Sequence, residues 1–167
     1  GQISEGAMER TLRGEGIDVS VDLTHEQPGD ADQEAEAAAT EKLGIRRYRF
    51  PMSGDGFGPI SHYAHALEVI HDAASRGERV LVHCAAGSQR TGAAMLFYRV
   101  LVKGDSVKRA RERMVLYERD PADDAKLWDY ATRNLGVLAE ELVARGVLER
   151  LPEPMPDLAA WHEAGGR

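Results

Sequence analysis

His83-Cys84-Ala85-Ala86-Gly87-Ser88-Gln89-Arg90-Thr91-Gly92 joins a short apolar run, Val80-Leu81-Val82, to a longer apolar stretch that opens at Thr91. The run before it reads as a short buried strand over 79–83, because branched apolar residues favour extended backbone. The stretch after it, 91–102, has the spacing of a helix that ends near Gly104. Between them lies a tight loop containing Gly87. Such a loop at a helix N-terminus directs several backbone N–H groups at one point, and the helix macrodipole adds positive potential there. Arg90 offers a planar fork of donors that matches two oxygens of an anion. The same features stabilise a thiolate, since helix N-termini and neighbouring cations lower a cysteine from about 8.5 to somewhere in about 3.5–7.5. Cys84 is the single cysteine of the chain, so it forms no intramolecular disulfide and reads as a candidate nucleophile.

Outward from this loop, branched apolar residues predict a strand over 17–23, and alternating apolar and basic residues predict another over 45–50, ended by Pro51. Helices are predicted over 5–14, 30–43 (stopped at Gly44), 60–75 (closed by Gly77), 106–117 and 122–145. The alanine- and glutamate-rich run over 31–39 belongs to the second of these, being built of strong helix formers. Alternating strands and helices followed by a helical run imply an α/β fold. The expectation is a single domain over residues 1–150, with a central, mostly parallel sheet flanked by helices. The functional loop then lies between a strand and a helix. Residues 151–167 read as an extended, proline-spaced C-terminal tail.

Composition narrows the function. The 167 residues are 43% hydrophobic and 29% charged, ordinary for a globular protein, and suffice for one domain with a proper core. A net charge of -7 argues against a broad nucleic-acid footprint, and an acidic protein that handles an anion such as phosphate must concentrate its positive potential in a small electropositive pocket. No apolar run approaches the ~18 residues of a membrane span, and no signal-like region opens the sequence. The chain opens at Gly1, which leaves a longer native N-terminus as an alternative. A thiolate nucleophile needs reducing surroundings, so the expected location is cytoplasmic, with neither membrane nor nucleic acid as partner.

The loop resembles the active-site loop of the protein tyrosine phosphatase superfamily: His-Cys, five variable residues with glycine third, then Arg and Ser/Thr-Gly. His83, Cys84, Gly87, Arg90, Thr91 and Gly92 fit every fixed position. The resemblance covers roughly residues 15 to 115. It implies a phosphate-monoester hydrolase in which Cys84 takes the phosphoryl group as a thiophosphate and water then releases it. Arg90 and the loop from His83 through Ala85, Ala86, Gly87, Ser88 and Gln89 would hold the phosphoryl oxygens. The Thr91 hydroxyl would help the sulfur leave, and His83 would order the loop. No cofactor or metal is implied, because Arg90 and the loop amides supply the positive charge.

A leaving alkoxide or phenoxide needs a proton. The family places an aspartate about 30 residues before the cysteine, and Asp55 stands there, in the glycine-rich stretch 52–59. Glycines on both sides suit a loop that closes over substrate, although an Asp-Gly turn is the alternative reading. The stretch departs from the Trp-Pro-Asp form of the tyrosine-specific branch. Asp120 is the reserve acid, with a cap or turn before the last helix as its plainer reading. Asp22 and Glu26 resemble loop-organising residues of small dual-specificity phosphatases and receive no catalytic role.

The remaining charged residues read as structural. His62, His65 and His71 fit surface or helix-start positions, since no third metal ligand accompanies the first two. Arg46, Arg47 and Arg49 fit an alternating strand face. Lys108, Arg109, Arg111 and Arg113 fit a solvated helix face.

Compact size and a short acid loop resemble the dual-specificity or atypical small branch. Its shallow pocket would admit phosphoserine and phosphothreonine as well as phosphotyrosine. Uncharged Ala85, Ala86, Ser88 and Gln89 argue against a polyphosphorylated lipid. A phosphatase of small metabolites, such as an inositol phosphate or a nucleotide, and a non-catalytic phosphate-binding module stand as alternatives. A redox-sensing thiolate is a further reading compatible with the first.

Overall fold

The computed structural model describes residues 5–85, 87, 89–115 and 125–159. The elements run α1 (Glu5–Gly14), β1 (Val19–Asp22), α2 (Ala31–Leu43), β2 (Arg46–Arg49), α3 (Ile60–Ser75), β3 (Val80–His83), α4 (Gln89–Phe97), α5 (Val107–Val115) and α6 (Ala125–Ala144). The predicted order holds, and α3 has the predicted ends. Caps explain the clean boundaries of α2. The Asp30 carboxylate accepts from the amides of Asp32 and Gln33, and Gly44 closes the helix in the left-handed region at φ 69°.

Three strands form one parallel sheet in the order β2-β1-β3. Parallel register fixes which side chains share a face. Val19 and Val21 lie beside Val80 and Val82, and this face meets the main core built with α3, α4 and α6. Tyr63 and Phe97 meet edge to face there, with centroids 5.1 Å apart. Ser20 and Asp22 lie on the opposite face, beside Arg47, Arg49 and His83. That face is covered by α1 and α2, with a smaller apolar cluster around Leu12, Ala39 and Ile45. The central strand β1 is wholly buried, whereas β3 is half-buried because it forms the sheet edge, a correction to its reading as buried.

Two features depart from the pattern. The helix after the loop does not stay α-helical to its end: Tyr98–Val102 form a π-helical turn, with Lys103 N–H donating to Tyr98 O at 3.0 Å. The proline-spaced tail also returns to the body. Leu158 is buried in the main core, and the Trp128 indole N–H donates to its carbonyl at 2.9 Å.

Candidate active site

Cys84 follows the last residue of β3 and is 9% exposed, while α4 begins at Gln89 with Arg90 and Thr91 in its first turn. Strand end and helix start therefore face each other across a short loop. Gly87 takes φ 69° there, a backbone state that penalises a Cβ. Ala85 is exposed, and Ala86 and Ser88 lie outside the described residues. Arg90 Nε and Thr91 Oγ1 are buried without a hydrogen-bond partner among the described residues. Buried polar atoms of this kind are costly and call for an explanation by function or by a ligand.

Behind Cys84 lies a buried charged layer that the sequence reading passed over. Glu36, on α2 and 3% exposed, accepts from Ser20 Oγ at 2.8 Å and lies 2.9 Å from His83 Nε2. Arg47 reaches both Glu36 and Asp22 at 3.3 Å. Arg49 Nε donates to Asp22 at 2.7 Å, and Asp22 also accepts from the amide and hydroxyl of Thr24. Arg47 and Arg49 thus point into an ion-paired layer between sheet and helix rather than along a plain alternating face. Donor atoms of Asp22, Glu36 and His83 lie within 4.8 Å of one another, close enough for a cation. Arg47 and Arg49 already supply positive charge to the two carboxylates.

The layer sets two titrations. Burial alone would raise Glu36, but its bonds to His83 and Ser20 and the charge of Arg47 bring it down to about 2. Burial alone would lower His83, but the Glu36 carboxylate carries it above its usual value of 6.5. Glu36 therefore contributes stability above its ordinary value of 4.5, lost as pH falls towards 2. His83 contributes below 6.5, and its share is lost as pH rises through its folded value. Glu36→Ala is expected to cost about 3 kcal/mol in urea denaturation at mildly acidic pH, because it leaves His83 without its carboxylate and Arg47 with Asp22 alone. The variant should also flatten the loss of stability between pH 4.5 and 2.

Asp55 is exposed, in the loop between β2 and α3. Its Oδ1 accepts from the Ser53 hydroxyl and from the Phe57 amide at 3.0 Å, which leaves Oδ2 as the oxygen suited to carry a proton. The Ser53 bond, seconded by Phe57, lowers its carboxyl below the usual value of 3.8. Gly56 takes φ 86°, and a β-carbon there would stand 3.5 Å from the Gln89 carbonyl carbon, so the loop abuts the start of α4. Burial raises the Tyr63 phenol well above its ordinary value.

Other residues singled out in the sequence lie elsewhere. His62 Nδ1 bonds Pro51 O at 2.7 Å, and the His65 ring stacks on Phe50 with centroids 5.9 Å apart. On α5, Lys108 pairs with Glu112 and Arg109 with Asp105. Asp120 lies outside the described residues.

No protein-family model matches the sequence, and no curated protein does. Solved structures do match. Tk-PTP in its active form is 20% identical with a TM-score of 0.60, over 86% of this chain and 88% of that one. Pseudomonas aeruginosa TpbA is 20% identical with a TM-score of 0.62, over 84% and 81%. Human DUSP28 is 23% identical with a TM-score of 0.57, over 85% and 92%. A three-stranded parallel core with the loop of Cys84 between its edge strand and a helix is therefore the α/β fold of the tyrosine and dual-specificity phosphatases.

Proposed function

We propose that the chain is a phosphatase that hydrolyses phosphate monoesters through a cysteinyl-phosphate intermediate, acting on phosphorylated proteins. The observation that carries this reading is the placement of Cys84 at a strand end opposite the first turn of α4, where Arg90 Nε and Thr91 Oγ1 are buried without hydrogen-bond partners among the described residues. In the first step Cys84 Sγ attacks phosphorus and the P–O bond to the leaving group breaks. The leaving oxygen takes its electron pair and a proton from Asp55. In the second step water attacks phosphorus, the S–P bond breaks, and Asp55 takes the proton of the water. Arg90 and the loop amides hold the three non-bridging oxygens throughout.

Asp55 must be protonated for the first step, and the bonds from Ser53 and Phe57 oppose this. A bound phosphate dianion pushes the carboxyl upward again, since like charge disfavours ionisation. Ser53→Ala removes a donor to the charged form and so raises the carboxyl further. The descending limb of the kcat profile is expected to move to higher pH with the ascending limb unchanged. A descending limb that stays put would take Asp55 out of this role.

TpbA has been solved in complex with phosphotyrosine, and PTPMT1 with PI(5)P. The uncharged side chains of Ala85 and Gln89 favour the protein substrate here. The test is turnover of phosphotyrosine, phosphoserine and phosphothreonine peptides beside inositol phosphates and nucleotides, in reductant and chelator. Peptide turnover that survives the chelator supports the reading. Loss with the chelator would contradict a mechanism whose positive charge comes from Arg90 and amides, and turnover of small molecules alone would replace the substrate class. The demand for a reduced thiol favours a reducing compartment. Among the described residues no helix is long and apolar enough to cross a membrane.

A further inference from the structure

The turn that carries Asp55 is held by two tyrosines from different helices. Tyr63 on α3 is fully buried, and its hydroxyl donates to Gly56 O at 2.7 Å. Tyr130 on α6 is half-buried, and its hydroxyl donates to Gly58 O at 2.6 Å. The Tyr130 ring also stacks on Phe57, with centroids 5.1 Å apart and planes 19° apart. Inside the turn, Ser53 N–H donates to Phe57 O at 2.8 Å and Gly56 N–H to Ser53 O at 2.9 Å. Where a side chain at Gly56 would project, Leu127 Cδ1 stands 2.8 Å away, so the backbone is pressed against α6. Glycines that suggested a loop able to close are used here to build a turn already seated.

We infer that Tyr63 and Tyr130 are positioning residues for the proton donor, fixing the 53–58 turn against α4 and α6 before substrate arrives. Asp55 then acts from a stationary turn and not from one that swings. The inference rests on the reading of Asp55 as the acid. Two carbonyls one residue apart from Phe57, each taken by a phenol on a separate helix, leave that turn little freedom to rotate about its ends. Burial raises both phenols, so both remain donors through the neutral range.

The experiment compares wild type, Asp55→Asn, Tyr63→Phe and Tyr130→Phe on two probes, para-nitrophenyl phosphate and phenyl phosphate. Amide hydrogen exchange of the 53–58 segment is measured alongside. Each phenylalanine variant keeps its ring and loses one hydroxyl, and Tyr130→Phe alters only a half-buried site, so folding is preserved in at least one. Each is expected to lose ~10-fold in kcat on phenyl phosphate, with KM unchanged and less than ~2-fold loss on the activated ester. Exchange in 53–58 should quicken while the rest of the chain is unaltered. Equal losses on both esters, or unaltered exchange, would overturn the inference. If Asp55→Asn itself shows no bias against phenyl phosphate, the acid reading fails first, and the exchange result still reports separately whether the tyrosines hold the turn.

Discussion

Cys84→Ser is expected to bring hydrolysis of an activated aryl phosphate down to background, a loss of about 10^4-fold or more, while inorganic phosphate still binds. The reasoning is electrostatic before it is geometric. A serine hydroxyl at the end of β3 occupies nearly the same place but is not ionised there at neutral pH. Among the described residues the buried carboxylates Asp22 and Glu36 are engaged by Arg47, Arg49 and His83 and are not set to activate a serine. On the proposed reading the binding half of the site should survive, because that reading assigns it to Arg90 and to backbone amides at the start of α4. Calorimetric titration with phosphate beside a hydrolysis assay separates the two halves. Residual turnover within ~10-fold of wild type would remove the covalent mechanism.

Arg90→Lys should be nearly as damaging, with kcat/KM reduced by about 10^3-fold, or ~4 kcal/mol of transition-state stabilisation. Arginine sits in the first turn of α4 with Nε buried, so its stem is fixed and only the terminal fork is left to meet an anion. A lysine places one compact charge where two parallel donors are wanted, and its flexible stem must be ordered anew for every substrate. The charge is retained, so phosphate affinity should weaken less than turnover does. A variant that keeps more than about a tenth of wild-type activity would show that charge alone suffices and that the fork is dispensable.

Much of this architecture could be read from residues whose local chemistry admits few alternatives. Gly44 and Gly77 end helices because their left-handed backbone suits few other residues, and α2 and α3 were accordingly bounded to within a residue. The strand-loop-helix around Cys84 was legible because its glycine, arginine and threonine stand at spacings that few other structures require. Glu36 was not legible, since in an alanine-rich helix nothing local distinguishes it from Glu34. A signal existed, but it was non-local. Ser20 and Asp22 alternate on one strand and Arg47 and Arg49 on another, so the shared face needed a further counter-charge from the covering helix. The π-helical turn at Tyr98–Val102 and the return of Leu158 to the core were equally hidden, because both are decided by packing rather than by propensity. The Tyr130 bond to Gly58 escaped for the same reason, since α6 lies far along the sequence from the turn it grips. The Tyr63 bond to Gly56 was hidden because packing decides which way a helical tyrosine faces.

The charged layer beneath the sheet has a consequence for how such a sequence can drift. Its members come from three strands and one helix, and each is the counter-ion of at least one other. Loss of Asp22 leaves Arg49 without its carboxylate, and loss of Glu36 does the same to His83. Loss of Arg47 or Arg49 thins the charge around a buried carboxylate, so drift through single steps crosses a stability valley. In a deep set of homologues these positions should therefore co-vary with one another and with the residue before the cysteine, more strongly than they co-vary with the phosphate loop itself.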